Sequence, residues 1–289
     1  MADNVFRFRR GKTEITVINV ADAELVPAEM YVAPGEEALL ASPEYRKPVP
    51  IAMQTFHIAL EGLSVVVDPG RFDPENDADA VARGYTPPPD LPASLQVAGI
   101  DPEAVGHVVI THGHWDHLNG ATVERAGQLV PLFPNARHYI GLGDWLAAQP
   151  LLQDPASLES RTLGVLHQWG LLNTVDGLFD LPGPEGVSIV PAPGETPGHQ
   201  VVRLVSDGEA TYFLGDLIHL ALEVEHMGWT PNWAADREQK LRSRRDIFEA
   251  AAGSGQGDRA LLCPTHIAGA GRLRPYRFGY VWKVVIPYA

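Results

Sequence analysis

Hydrophobic and polar positions along the chain fall mostly into short runs of period two, broken by Gly, Asp and Pro. Residues 5–20 alternate around Gly11 and predict an opening strand or hairpin. Residues 54–60 and 63–67 predict two strands joined through Glu61-Gly62. The β-branched run Val108-Val109-Ile110 reads as a buried strand, with a helix expected over 118–126. Further strands are expected at 137–140, 178–182 and 187–191. Residues 201–205 and 211–214 flank Asp207-Gly208, a two-residue hairpin turn. A last buried strand is expected at 260–263. Helical periodicity marks 93–98, with Gly99 as its stop, then 143–149, 157–170 and, most clearly, 236–252. Strands clustered in hairpins with helices between them point to a layered α/β domain.

Three stretches resist this pattern. Residues 21–50 are rich in Pro, Glu and Ala and read as an arm or short helices lying over the domain. They are placed to cap a site, to reach a partner subunit or simply to pack on the core. Residues 71–92 form a Pro- and Asp-rich loop, and 271–289 a tail with several aromatics. The 289 residues are taken as a single domain, with 21–50 as its arm.

Composition narrows the partners. The net charge of −14 argues against a nucleic-acid-binding surface. The local basic group Arg242, Arg244 and Arg245 reads as the solvated face of a helix. No apolar run is long enough to span a bilayer, and no signal-peptide core follows the polar first residues, so a cytoplasmic location is expected. The single cysteine, Cys263, excludes an internal disulfide and reads as core. Any metal must therefore be held by His and carboxylates.

Such residues are concentrated in one place. The run His112-Gly113-His114-Trp115-Asp116-His117 packs three imidazoles and a carboxylate where a strand ends and a helix is expected. Binding sites in open α/β sheets form at such edges. His112 and His114, two apart, point to one side of extended backbone, and Asp116 and His117 follow about one turn later. Nitrogen and oxygen ligands of this kind suit zinc or a similar divalent ion. Three more strand ends carry ligand-type side chains: Thr196-Pro197-Gly198-His199, Gly215-Asp216, and His266 after Cys263-Pro264-Thr265.

Together, and in this order, these motifs resemble the metallo-β-lactamase superfamily. The resemblance spans residues 64–266 and implies a four-layer αββα sandwich with a dinuclear site at one edge of the two sheets. Carried over by position, it implies that His112, His114 and His199 bind one metal, that Asp116, His117 and His266 bind the other, and that Asp216 bridges them. Asp68 matches a position that supports the ligands rather than binding metal. Two metals, zinc first and Fe, Mn or Co as substitutes, would hold a bridging hydroxide and polarise the scissile group, at a separation of roughly 3.5–4 Å.

Within the superfamily the pattern is most similar to the group of acyl-homoserine lactonases and methyl parathion hydrolase. Redox-active diiron members carry Glu where His114 stands. Glyoxalase II-like enzymes append a helical region, but only a short tail follows His266 here. Nucleic-acid-processing members carry extra domains or basic arms. The β-lactamases themselves usually lack the bridging Asp. Three residues beyond Asp216 the lactonases usually place Tyr; this chain has His219, closer to methyl parathion hydrolase. His219 is a candidate proton donor or a residue that orients a ligand. With Asp116, it makes up the candidate catalytic set. Trp115 and Trp233 are candidate pocket walls, with Tyr31, Trp145, Trp229 and Phe278 as further aromatic candidates. His57, His107, His138, His167 and His226 read as structural or surface residues.

The expected activity is hydrolysis of an ester-type bond in a small molecule, a lactone or carboxylic ester first and a phosphotriester second. A metal-binding protein without turnover and a nuclease are the rival classes. No nucleic-acid or membrane partner is expected, and a homodimer is left open.

Overall fold

A computed structural model of the chain describes residues 4–71, 89–183, 186–253, 260–277 and 279–287. Most of the Pro-rich loop, and Phe278, lie outside these residues.

Two seven-stranded sheets form the centre. In the first, the strands run in the order Val5–Arg10, Thr13–Leu25, Val49–Leu60, Leu63–Val67, His107–Val109, Arg137–Gly141 and Leu172–Val175. In the second the order is Phe179–Asp180, Val187–Pro191, Gln200–Ser206, Glu209–Gly215, Leu261–Pro264, Ala270–Tyr276 and Gly279–Ile286. In the first sheet antiparallel pairs run from Val5–Arg10 to Leu63–Val67, and parallel pairs join Leu63–Val67, His107–Val109, Arg137–Gly141 and the edge strand Leu172–Val175.

Period-two alternation explains the layering. Val65 and Val67 face the second sheet, where Ile189, Val202, Leu204 and Phe213 meet them, and Phe56 packs on Phe213 with ring centroids 5.1 Å apart. Val66, Val108 and Ile110 face the other way, onto Leu91, Leu95, Leu163 and Leu166. On the far side of the second sheet, Val201, Tyr212, Leu214 and Leu262 pack under Ile247, Phe248 and Ala251 of the long helix Arg237–Gly253. The fold is therefore the expected α/β sandwich with helices on both outer faces.

Two local expectations are corrected. The helix expected over 118–126 is a four-residue helix, Trp115–Leu118, followed by the strand Thr122–Arg125 paired with Gln128–Pro131. Gly120 sits against the carbonyls of Pro69 and Gly70, and Gly127 takes a positive φ at the turn, so β-branched Thr122 and Val123 continue as a hairpin. The aromatic tail is a strand pair, Ala270–Tyr276 with Gly279–Ile286, which extends the second sheet.

The arm region is tied down. The second strand runs on to Leu25, and short helices follow at Pro27–Met30 and Glu37–Leu40. Tyr31–Val32 then pairs with Thr230–Pro231, and Tyr31 and Leu40 pack with Trp229 and Leu220. Among the described residues no helix is long and apolar enough to cross a membrane.

Candidate metal centre

Every residue of the cluster comes from a strand end or the loop behind it. The strand Leu63–Val67 stops at Asp68, which adopts a left-handed φ of 52°, a region short polar side chains tolerate, before Pro69-Gly70. The strand His107–Val109 leads into the His112–His117 run, Glu209–Gly215 into Asp216, and Leu261–Pro264 into His266.

Asp68 is fully buried and organises the loops around it. Its Oδ1 accepts the Thr111 backbone N–H at 2.7 Å, and its Oδ2 accepts the Thr111 hydroxyl at 2.9 Å and His117 Nδ1–H at 2.8 Å. His266 donates Nδ1–H to Ala52 O and His199 donates Nδ1–H to Ala192 O, each at 2.9 Å. Three imidazoles thus carry their proton on Nδ1 and turn Nε2 away from these partners, the arrangement that prepares an imidazole to bind a metal.

Asp144 does equivalent work with backbone. Its carboxylate accepts Gly113 N–H at 2.8 Å, Gly198 N–H at 2.7 Å and the Thr196 hydroxyl at 2.8 Å. It thereby binds the His112–His117 run to the loop that presents His199. The end of the strand Arg137–Gly141 approaches the His199 loop so closely that a Cβ on Gly141 would lie 1.9 Å from Gly198 O. Burial raises the Asp144 carboxyl from its ordinary range, while these hydrogen bonds pull it back.

The two oxygens of Asp216 face different histidines. Oδ1 lies 3.1 Å from His117 Nε2 and 3.0 Å from His266 Nε2. Oδ2 lies 3.0 Å from His219 Nε2 and 3.4 Å from His112 Nε2. Asp116 Oδ2 lies 3.4 Å from His266 Nε2 and 3.6 Å from His117 Nε2. His112 Nε2 and His114 Nδ1 face each other at 2.8 Å. Among the described residues three sets converge closely enough to hold a metal ion: His112, His114, Glu195 and Asp216; Asp116, His117 and His266; and Asp216, His219 and His266. His199 lies beside His112, with ring centroids 5.1 Å apart, but outside these sets; its Nε2 accepts the Asp216 backbone N–H at 3.1 Å.

The electrostatics call for a cation. Asp216 is held well below the usual carboxylate range, as the surrounding histidines, His266 first, overcome burial. Burial alone would lower His117 and His219, but Asp216, Asp116 and Asp68 together raise His117 well above the ordinary value, and Asp216 together with hydrogen bonding to Asp216 and Glu223 raises His219 to about 9. His112 is pushed well down by burial and by His117, and His199 to about 4 by burial. His117 Nε2 and Asp216 Oδ1 are buried and have no hydrogen-bond partner among the described residues. With the His117 proton on Nδ1, two lone pairs meet at this point, and only a proton or a metal cation between them relieves that. The donor set, imidazole and carboxylate, fits a divalent metal.

The cluster opens into a cavity of about 440 Å³. His114, Asp116, Asp216, His219 and His266 form its floor, and Leu25, Met30, Ile51, Met53, Trp115 and Trp233 its walls. Both Trp115 and Trp233 are therefore at the cavity. Tyr31, Trp229 and Trp145 are not: Tyr31 donates to Glu223, Trp229 stacks on His226, and Trp145 packs on His167. Leu25 and Met30 bring part of the arm to the cavity wall. His57 and His107 bond to Ser64 and Tyr139, and burial holds His138 at about 4. Burial also pushes the Cys263 thiol up, consistent with a core residue.

Beneath the cluster lies a layer of charge that the sequence reading missed. Lys240 and Arg244, one turn apart on the long helix, are buried. Lys240 pairs with Glu195 and donates to Asp216 O at 2.6 Å. Arg244 pairs with Glu223 and donates to Trp229 O at 2.8 Å and Leu217 O at 3.2 Å. Glu223 in turn accepts the His219 backbone N–H at 2.6 Å, and against burial Arg244, His219 and Lys240 together hold its carboxyl at about 2. Arg244 is thus a core ion-pair partner, correcting the solvated-face reading, whereas Arg242 is exposed against Gln239 and Glu238. The signal was available. Lys240, Ser243, Arg244, Ile247, Phe248 and Ala251 form one stripe of 3–4 spacing, so the apolar face of the helix runs straight into the two cations.

The pattern that defines the metallo-β-lactamase superfamily matches residues 55–266, spanning every residue of the cluster. The chain belongs to the metallo-β-lactamase superfamily. Among relatives, it is 30% identical to an N-acyl homoserine lactonase AttM of Azorhizobium caulinodans over 57% of this chain and 63% of that protein. It is 29% identical to the AttM lactonase of Rhizobium radiobacter over 56% of this chain and 62% of that protein. The match thus spans less than two thirds of the length of either lactonase. Among solved structures, a hydrolase named AbOPH superposes with a TM-score of 0.75 at 19% identity, over 98% of this chain and 97% of that one. AidC, a dizinc quorum-quenching lactonase bound to a product, N-hexanoyl-L-homoserine, superposes with a TM-score of 0.72 at 18% identity, over the same shares. At these identities the superpositions establish the metallo-β-lactamase sandwich.

Proposed function

We propose that this chain is a dinuclear metal-dependent hydrolase of an ester-type bond, most readily a lactone or carboxylic ester. The observation that carries the proposal is Asp216, whose two oxygens face two histidine sets, His117 with His266 and His112 with its neighbour His114. His112 and His114 would hold one ion, with His199 joining them once its Nε2 releases the Asp216 backbone N–H that it accepts here; Asp116, His117 and His266 would hold the other, and Asp216 both. Zinc is the first candidate, and Fe, Mn or Co would suit the same donors. When bound, such ions polarise a carbonyl oxygen and supply an activated water at neutral pH.

The side chains then have separate tasks. Asp68 fixes the direction of His117 Nε2 through its bond to Nδ1. Asp116 lines the cavity and is placed to take a proton from water. His219 points Nε2 at Asp216 Oδ2 and the cavity, with its backbone N–H held by Glu223, and is placed to give a proton to the leaving oxygen. The apolar walls from Leu25 to Trp233 suit the hydrocarbon part of a small substrate. The lactonase names of the AttM relatives support the lactone reading.

A phosphotriester is the second substrate class, favoured by His219 where lactonases usually have Tyr. The deciding experiment is a kinetic panel on metal-loaded protein: lactones of several chain lengths, aryl esters, a phosphotriester and a thioester. The highest kcat/KM is expected on a lactone or aryl ester. Turnover confined to the phosphotriester supports the second class, and none on any substrate at full metal content would leave a metal-binding protein without hydrolytic turnover.

A further inference from the structure

Glu195 occupies an unusual position between the cluster and the long helix. Its side chain is 1% exposed, as is that of Lys240. Oε2 is taken by the Lys240 ammonium. Oε1 accepts the Trp233 indole Nε1–H at 2.7 Å and lies 3.7 Å from both His114 Nδ1 and His219 Nε2. Trp233 itself is 37% exposed, so packing alone does not fix it. It stands edge-on to His219, centroids 5.3 Å apart and planes at 89°.

The backbone around Trp233 is secured on two sides. Asn232 N–H donates to Met30 O at 2.8 Å, beside the pairing of Thr230–Pro231 with Tyr31–Val32. Ala235 N–H donates to Glu195 O at 3.0 Å and Asp236 N–H to Gly194 O at 2.9 Å. Met30 and Trp233, both on the cavity wall, are thus strapped into one rim, and the indole is the part of it that the backbone does not set. A buried ion pair is a poor source of net stability, because desolvation offsets the attraction, while its best-attested use is to fix one arrangement among several. A charge-assisted N–H···O⁻ bond is strong and directional enough to select one indole rotamer.

We propose that Glu195 and Lys240 are positioning residues that latch the Trp233 indole over the cavity, making Trp233 the residue that selects for the size of the substrate's apolar group. The selection rests on the ester-hydrolase reading, but the latch does not. Lys240 also donates to Asp216 O, so the same ammonium sets the rim relative to the cluster.

The test has two independent arms. In a ¹H–¹⁵N spectrum of the whole protein, the peak lost in Trp233→Phe identifies the Trp233 indole N–H. It is expected to exchange slowly with solvent and to shift in Glu195→Gln, with metal content of that variant unchanged. Fast exchange, or no shift, overturns the latch, and loss of metal in Glu195→Gln overturns it by making Glu195 a ligand. In the kinetic arm, Trp233→Phe is expected to raise KM for the longest ester or lactone of a chain-length series on the order of tenfold more than for the shortest. An unchanged chain-length profile overturns the selective role. If wild-type protein turns over no ester, the function reading fails while the spectroscopic arm still reads the latch. Should an unpaired Lys240 ammonium prevent Glu195→Gln from folding, the double variant Glu195→Gln/Lys240→Met carries the same measurement.

Discussion

Asp68 accepts the Nδ1–H of His117 at 2.8 Å, and this one contact sets where His117 Nε2 points, 3.1 Å from Asp216 Oδ1. Asp68→Asn keeps the shape but presents an amide to the ring. The expected result is a fall in metal affinity of roughly 10–100-fold, read by competition with a chelator, with the circular dichroism of the fold unchanged. Unaltered affinity would show that His117 needs no help in orienting.

His219 stacks on His266 with ring centroids 5.2 Å apart and reaches Asp216 Oδ2 through Nε2. His219→Phe is expected to lower turnover by ~10²-fold or more while the metal content stays intact. Unchanged turnover reduces His219 to a wall of the cavity, and loss of metal makes it a ligand.

Arg244 and Glu223 form an ion pair with both side chains 0% exposed. Arg244→Met strands a buried carboxylate and is expected to cost about 3–5 kcal/mol of stability in denaturant melts. The double variant Arg244→Met/Glu223→Gln removes both charges and is expected to regain much of that loss. A double variant no more stable than the single one would place the value of Arg244 in its bonds to Leu217 O and Trp229 O.

His138 is fully buried and held at about 4 by desolvation, whereas in the unfolded chain it titrates near its ordinary value. The unfolded state therefore binds the proton first as pH falls. The stability tied to neutral His138 is complete above the ordinary histidine range and is lost progressively on acidification toward pH 4. Replacing it, as in His138→Leu, is expected to shrink the drop in unfolding free energy between about pH 6.5 and 5 by about 2 kcal/mol. An identical pH slope in the variant rules out His138 as a source of acid lability.

The sandwich was legible because period-two alternation separates the residues between the sheets from those under the helices, as Val65, Val66 and Val67 illustrate. The cluster was legible because its ligand-type residues end strands. Less legible were contacts between segments distant in sequence. Asp144 gives no local sign that it will bind Gly113 and Gly198, and Leu25 and Met30 reach the cavity only through the packing of the arm. The helix expected over 118–126 failed for a related reason, since the close packing of Gly120 on Pro69 is a tertiary constraint. Lys240 and Arg244 lie on the buried stripe of their helix, but the charge of Arg244 was read as exposure and Lys240 drew no reading.

Metal stoichiometry bears most directly on the central claim. Wild-type protein reconstituted with zinc and freed of loosely held ions is expected to retain two equivalents per chain by elemental analysis, and Asp216→Ala at most one. A single equivalent in the wild type, or full metal content in Asp216→Ala, contradicts a dinuclear centre bridged by Asp216.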